Sequence, residues 1–308
     1  MSRPGRTPVV LAGPALLAVV LAGCDLGLPT EEAAASSALA TIWPAGRTGS
    51  MDVVAEVDGR EIAGRCTGLN SGEPTVLLEV GMGAPRDELQ VVEDHLAPRT
   101  VVCTYDRAGT GNSDPPESSP RPVAEVVSDA LALLDQVAEQ GAAAPFFLVG
   151  QSFGGELVMR ESQTRPDLLA GFVAMNPSPP FQTWLARART VETEEEVAAY
   201  ELPSFTGGNA EGVDTTADES LLTDPLPAEL PYAVVFDEAC GELPPSLQAE
   251  PRCGQLIAQL ELTMVDLAHV GAGGSFARVP GAGHAIYASR PESALAMIDH
   301  VWARATAG

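Results

Sequence analysis

The stretch Phe146-Phe-Leu-Val-Gly-Gln-Ser-Phe-Gly-Gly155 decides how this 308-residue chain is read. Its first four residues, Phe146 to Val149, are all apolar, as expected of a strand buried on both faces. Gly150-Gln151-Ser152-Phe153-Gly154 then matches Gly-x-Ser-x-Gly, and Glu156 to Ser162 reads as a helix. Strand, sharp turn and helix together are the setting of a nucleophile elbow. A turn that tight forces its tip into strained backbone geometry, and the strain lifts the Ser152 hydroxyl above the sheet at the positive end of a helix. Gly150 and Gly154 let strand and helix approach closely.

A serine nucleophile needs a base, a carboxylate to hold the base, and donors for an oxyanion. The chain has four histidines. His284 sits in Gly281-Ala-Gly-His284, between the last strand, Ser275 to Val279, and the helical pattern Pro291 to Ala305. That places it at the sheet edge where Ser152 lies. His95, His269 and His300 fall on or beside helices with no route to the elbow. With a Gly-x-Ser-x-Gly elbow the acid lies between serine and histidine in the chain. The strand Leu230 to Phe236 ends in Asp237-Glu238, so Asp237 is the first choice and Glu238 the alternative. The end of the preceding strand holds Asn176, which cannot be the carboxylate, and Asp266 and Glu242 lie further off. One oxyanion donor is the N–H of Phe153. The second is expected from the loop after Thr75 to Val80, with Met82 preferred and Gly83 the alternative.

Gly150-Gln-Ser-Phe-Gly-Gly155, Tyr105-Asp-Arg-Ala-Gly-Thr-Gly-Asn-Ser113 and Gly281-Ala-Gly-His-Ala-Ile-Tyr287 together resemble the α/β-hydrolase fold superfamily, in its branch with a Tyr-Asp-Arg-x-Gly loop. The resemblance covers about Arg60 to Ala305, apart from an insert. It implies an α/β fold with a mostly parallel sheet, helices on both faces and an inserted cap, and it makes Asp106 and Arg107 structural. The family's common His-Gly before the oxyanion donor is Val80-Gly81 here. Serine at the elbow sets the chain apart from the dehalogenases and epoxide hydrolases of this fold, which use aspartate. An esterase- or lipase-like activity on a small-molecule acyl substrate is the expectation, with no cofactor and no metal. Aminopeptidase or amidase chemistry on the same fold is the alternative. A non-catalytic ligand-binding lipoprotein is the alternative from another class.

The alternation of patterns elsewhere fits this architecture. Met51 to Val57 and Arg60 to Thr67, joined by Asp58-Gly59, read as a hairpin. Thr100 to Tyr105 and Leu168 to Met175 are apolar strands, and Val123 to Gln140 is a long amphipathic helix. Residues from about 177 to 229 change composition and read as the cap, within a domain spanning 51–308.

The N-terminus reads as an export signal over residues 1–23: Arg3 and Arg6, then an apolar run from Val9, then Leu21-Ala-Gly-Cys24. The last four resemble the bacterial lipobox, which implies that Cys24 is lipidated and anchors the body to the outer face of the cell membrane. Residues 24–50, rich in Ala, Gly, Pro, Ser and Thr, read as a flexible tether. The formal net charge is −25 and there is no lysine, which argues against nucleic acid as a partner. Four cysteines remain after Cys24, an even number that suggests disulfides in an exported chain. Cys66–Cys103 would join neighbouring strands and Cys240–Cys253 would close a short loop. No pair has Cys-x-x-Cys spacing, so a metal site is not expected.

Overall fold

The computed structural model describes residues 44–216 and 220–307. The signal segment, Cys24 and most of the tether lie outside them. The sheet is built from β1 (Thr48–Val57), β2 (Arg60–Leu69), β3 (Thr75–Glu79), β4 (Val101–Tyr105), β5 (Phe146–Gln151), β6 (Leu169–Met175), β7 (Tyr232–Phe236) and β8 (Phe276–Arg278). Its eight strands run in the order β1-β2-β4-β3-β5-β6-β7-β8. The β1–β2 and β2–β4 pairs are antiparallel and every later pair is parallel. The chain thus has the α/β-hydrolase type of fold that the motifs imply.

The hairpin turns on Asp58 and Gly59, both at positive φ, as a two-residue turn matched to strand twist requires. β1 buries Met51, Val53 and Ala55 and exposes the residues between them, as an edge strand with one wet face should. It begins at Thr48, inside the stretch read as tether. The central strands are buried throughout. In β5, Phe146 and Leu148 join the core on one face of the sheet, while Phe147 and Val149 join the core on the other. A strand covered on both sides has no face left for polar residues, which is why it reads as an unbroken apolar run. Helices α2 (Val123–Glu139), α3 (Phe153–Thr164) and α5 (Arg252–Ala268) fill the first core; α1 (Gln90–Leu96) and α6 (Pro291–Ala305) fill the second.

Between β6 and β7 the chain leaves the sheet. This insert carries α4 (Phe181–Ala188) and several shorter turns. It has its own small core, in which Phe181, Trp184 and Phe205 pack with Leu247 and with Leu256 of α5. Cys66 and Cys103 face each other across β2 and β4 and are bonded, with Cα atoms 4.0 Å apart. Cys240 and Cys253 form the second bridge, with Cα atoms 5.6 Å apart. Both pairs are those expected. Among the described residues no helix is long and apolar enough to cross a membrane.

Candidate active site

Ser152 sits between β5 and α3 at φ +55° and ψ −120°, a conformation that costs a non-glycine residue about 1–3 kcal/mol. The surroundings fix it. Its N–H donates to Met175 O at 2.9 Å, and its carbonyl accepts from Ser178 N at 3.1 Å and Glu156 N at 3.2 Å. Neighbouring backbone fills the place of a Cβ at both flanking glycines: Gly154 O at Gly150, and Glu79 O at Gly154.

His284 lies on the loop after β8, and side chains from four places pin that loop. Asp237, just past β7, accepts Ala282 N at 2.7 Å and Gly283 N at 2.9 Å. Asn176 at the end of β6 donates to His284 O at 2.8 Å, and its own oxygen accepts Asp237 N at 2.9 Å. Gln151, next to the serine, donates to His284 O at 2.9 Å. Glu242 accepts His284 N at 2.8 Å.

The side chain that meets the imidazole is that of Glu238, 3.2 Å from Nδ1. This corrects the first choice of Asp237. The Asp237 carboxylate is buried, spends one oxygen on two loop N–H groups, and has Arg278 Nε 3.6 Å from the other. Glu238 leaves the strand one residue later and is longer by one methylene, and it reaches over to the ring. Burial raises the Glu238 carboxyl above its ordinary range, and the adjacent imidazole opposes that rise. Burial would lower His284. The bond to Glu238 and its charge, with those of Glu242 and Glu88, outweigh burial and hold His284 above its ordinary value.

The loop after β3 runs beside Ser152: a Cβ placed on Gly81 would be 3.7 Å from Ser152 Cβ. Most of the loop's polar groups are already taken. Gly81 N donates to Glu88 at 2.6 Å. Arg107 donates to Val80 O at 2.9 Å and Gly81 O at 2.5 Å. Gly83 N donates to Glu211, from the insert, at 2.7 Å, so the alternative oxyanion donor is already engaged. The N–H groups of Met82 and Phe153 have no acceptor among the described residues. Phe153 opens α3, where a helix leaves its first amides unpaired.

Ser152, His284 and Glu238 line one cavity of about 120 Å³, whose other walls include Phe236, Leu260 and Met264. Its size is small beside the roughly 300–1,000 Å³ of ordinary ligand pockets. The acidic groups nearby are Glu88, Glu238 and Glu242, and Tyr287 donates to Glu88 at 3.1 Å. Sequence reasoning did not single out Gln151, Glu88 or Glu211, set Asn176 aside because it is not an acid, and placed Glu242 among the outsiders. Position alone gave a signal for Gln151 and Asn176, which adjoin Ser152 and the end of β6. Glu88, Glu211 and Glu242 gave none in so acidic a chain. Asp106 and Arg107 hold loops: Asp106 accepts Asn112 N at 2.9 Å, and Arg107 donates to Val80 O and to Glu211 of the insert. Cys240, Glu250 and Cys253 cluster in the manner of metal ligands, but the two sulfurs are bonded to each other.

Among solved structures, a thermophilic esterase from Thermogutta terrifontis is 17% identical with a TM-score of 0.56, covering 83% of this chain and 99% of that one. The enol-lactonase from Burkholderia xenovorans LB400 is 18% identical with a TM-score of 0.55, covering 80% and 98%. A hydrolase from Pseudomonas aeruginosa PA01 is 19% identical with a TM-score of 0.55, covering 84% and 99%. At such identities these likenesses speak for the fold. A curated relative, the probable transporter efuK of Hormonema carpetanum, is 36% identical over 85 residues, 27% of this chain. The chain spans only 12% of that protein's length. The family model described as "Serine aminopeptidase, S33" matches residues 76–232, just over half of the chain, from β3 through the elbow and the insert to the start of β7. The chain therefore belongs to the serine aminopeptidase S33 family and has the α/β-hydrolase fold.

Proposed function

We propose that the protein is a serine hydrolase that cleaves a small carboxylic ester, or a related acyl bond, through an acyl-enzyme. The observation that carries this reading is the convergence of a strained Ser152 and a Glu238-bound His284 on one cavity. An ionised Glu238 requires a proton on Nδ1 of His284, which leaves Nε2 as the free base. His284 takes the Ser152 proton as Oγ attacks the carbonyl. The N–H groups of Phe153 and Met82 hold the oxyanion that forms. His284 then gives the proton to the leaving group, and the same steps with water release the acid. Glu238 stabilises the imidazolium formed on the way.

A second reading, cleavage next to a protonated amine as in aminoacyl amides, is favoured by Glu88, Glu238 and Glu242 around the histidine and by the family's description. Raising the salt concentration separates the two. It should lower kcat/KM for a cationic aminoacyl substrate and leave that for a neutral ester nearly unchanged. The insert would act as a cap on the pocket. Export and a lipid on Cys24 complete the proposal, and radiolabelled fatty acid incorporated by the parent but not by Cys24→Ala would support it.

The test of the chemistry is labelling with a fluorophosphonate probe. The parent should label, Ser152→Ala should not, and His284→Ala should label far more slowly. A folded parent that does not label would sink the hydrolase reading in favour of a ligand-binding lipoprotein.

A further inference from the structure

We infer that Glu242 is a positioning residue for His284 and that the Cys240–Cys253 disulfide holds it in place. The inference rests on the role proposed for His284. Glu242 follows Cys240 by two residues, in a segment of short 3₁₀ turns over Cys240–Glu242 and Pro245–Leu247. No residue of that segment lies in a strand, and Leu247 anchors its far end in the insert's core. One end of it is held by the bridge, because Cys253 is fully buried in the first turn of α5. That helix is fixed in turn by Met264 and Leu267 in the sheet's core, and its Leu260 and Met264 line the cavity. The disulfide thus carries the rigidity of α5 into the turn that bears Glu242.

One oxygen of Glu242 does two jobs. It accepts Ala239 N at 3.1 Å, which closes the turn, and His284 N at 2.8 Å, which pins the histidine's own backbone. Its carboxylate also lies against Gly283, where a Cβ would come within 2.8 Å of either oxygen. Gly283 is at φ +69°, so both space and backbone call for glycine there. The other pins of the loop, Asp237, Asn176 and Gln151, hold the N–H groups of residues 282 and 283 and the carbonyl of His284. Only Glu242 holds the His284 N–H among the described residues.

Charge adds a second effect. The groups facing the imidazole are Glu238 and Glu242 from the segment after β7 and Glu88 from the segment before α1, with Tyr287 bound to Glu88. Asp237, with Arg278 beside it, lies beneath the loop. Removing the Glu242 charge should make His284 easier to deprotonate, and so should letting Glu242 drift away.

The experiment follows the His284 imidazole by NMR through a pH titration of the full chain, with His284→Ala assigning the signal. The same proteins are assayed for p-nitrophenyl acetate hydrolysis. Glu242→Gln keeps an acceptor for the N–H but loses the charge. It should move the titration to lower pH and cost about threefold in kcat/KM, whereas Glu242→Ala should cost about tenfold. Cys240→Ser/Cys253→Ser should move the titration the same way, and adding Glu242→Ala to it should cost little more. Removal of the distant Cys66–Cys103 bridge is the control and should leave the titration in place. Full additivity of bridge and Glu242 effects, or a titration unmoved by Glu242→Gln, would overturn the inference. A parent without Ser152-dependent turnover would instead overturn the proposed chemistry, and the titration would still decide whether Glu242 and the bridge act together on His284.

Discussion

Exchanging the two neighbouring acids, one at a time, tests the site most directly. Glu238→Gln keeps the shape of the group 3.2 Å from His284 Nδ1 but removes its charge. The imidazole is 44% exposed, so an effective dielectric of about 20–40 applies, and an ion pair at that spacing is then worth roughly 3–5 kcal/mol. That energy is gained as the imidazolium forms, so kcat/KM should fall by about 10² to 10⁴. Asp237→Asn is a different kind of injury. The Asp237 carboxylate holds two loop N–H groups and is 2% exposed. Trading charge-assisted bonds for neutral ones, with an amide turned toward Arg278, should cost about 2–3 kcal/mol of stability. For a domain of this size that lowers Tm by roughly 5–10 °C. Hydrolysis of a neutral p-nitrophenyl ester and a thermal melt on each variant are sufficient. The expected pattern is a large kinetic loss with a nearly unchanged melt for Glu238→Gln, and the reverse for Asp237→Asn. If folded Asp237→Asn loses as much kcat/KM as Glu238→Gln, the assignment of Glu238 as the acid is wrong.

In the proposed mechanism the base form of His284 is the active one, and its folded-state value is raised, so the acid limb of kcat/KM should lie above the ordinary histidine value of 6.5. By linkage, the stability His284 contributes is full below its ordinary value and lost as pH rises through the raised one. Melts of parent and His284→Ala should therefore converge on the alkaline side, and parallel melts would refute this. Removing the Cys66–Cys103 bridge, whose ends are 37 residues apart, should cost about 4 kcal/mol by loop-closure entropy, against about 3 for the 13-residue Cys240–Cys253 loop. Chemical denaturation of the two variants checks the order. Glu211→Ala frees the Gly83 N–H and takes a carboxylate from buried Arg107, so kcat should fall by roughly 10–100-fold with KM nearly constant. A change confined to KM would argue that Glu211 only binds substrate.

The elements of the sheet were legible because their physics is local. Phe146 to Val149 must be buried on two faces, Asp58-Gly59 supplies the two left-handed residues of a hairpin turn, and Pro291 opens the last helix where it appears in the sequence. α5 starts only at Arg252, because Pro245–Leu247 shortly before it form a 3₁₀ turn. The side-chain partners were less legible. Asp237 and Glu238 are adjacent and both acidic, and only the path of the His284 loop decides which one meets the ring. Glu88, Glu211 and Glu242 come from three distant parts of the chain. Glu211 and Glu242 each accept a backbone N–H of a loop they do not belong to, at Gly83 and His284, and Glu88 accepts Gly81 N within its own loop. A carboxylate bound to a remote backbone amide leaves no pattern in spacing or periodicity. Asn176 looked unsuitable because the question was which acid serves the histidine, yet its amide bridges Asp237 N and His284 O.

Arg107 is buried, only 3% exposed, and Glu211 meets it with both oxygens, at 2.8 Å to Nε and 2.7 Å to Nη2. The same guanidinium grips Val80 and Gly81 beside Ser152, and Ala210 rests on Gly83. The insert is therefore not a detachable lid for anyone wishing to re-engineer this scaffold. Excising it, or grafting one from another hydrolase, would take from a buried cation its two-oxygen partner and leave it Glu79 alone, 3.4 Å away, unless the graft brings an acid to the place of Glu211. A chimera designed on pocket shape alone would be miswired at a residue that need not touch the substrate.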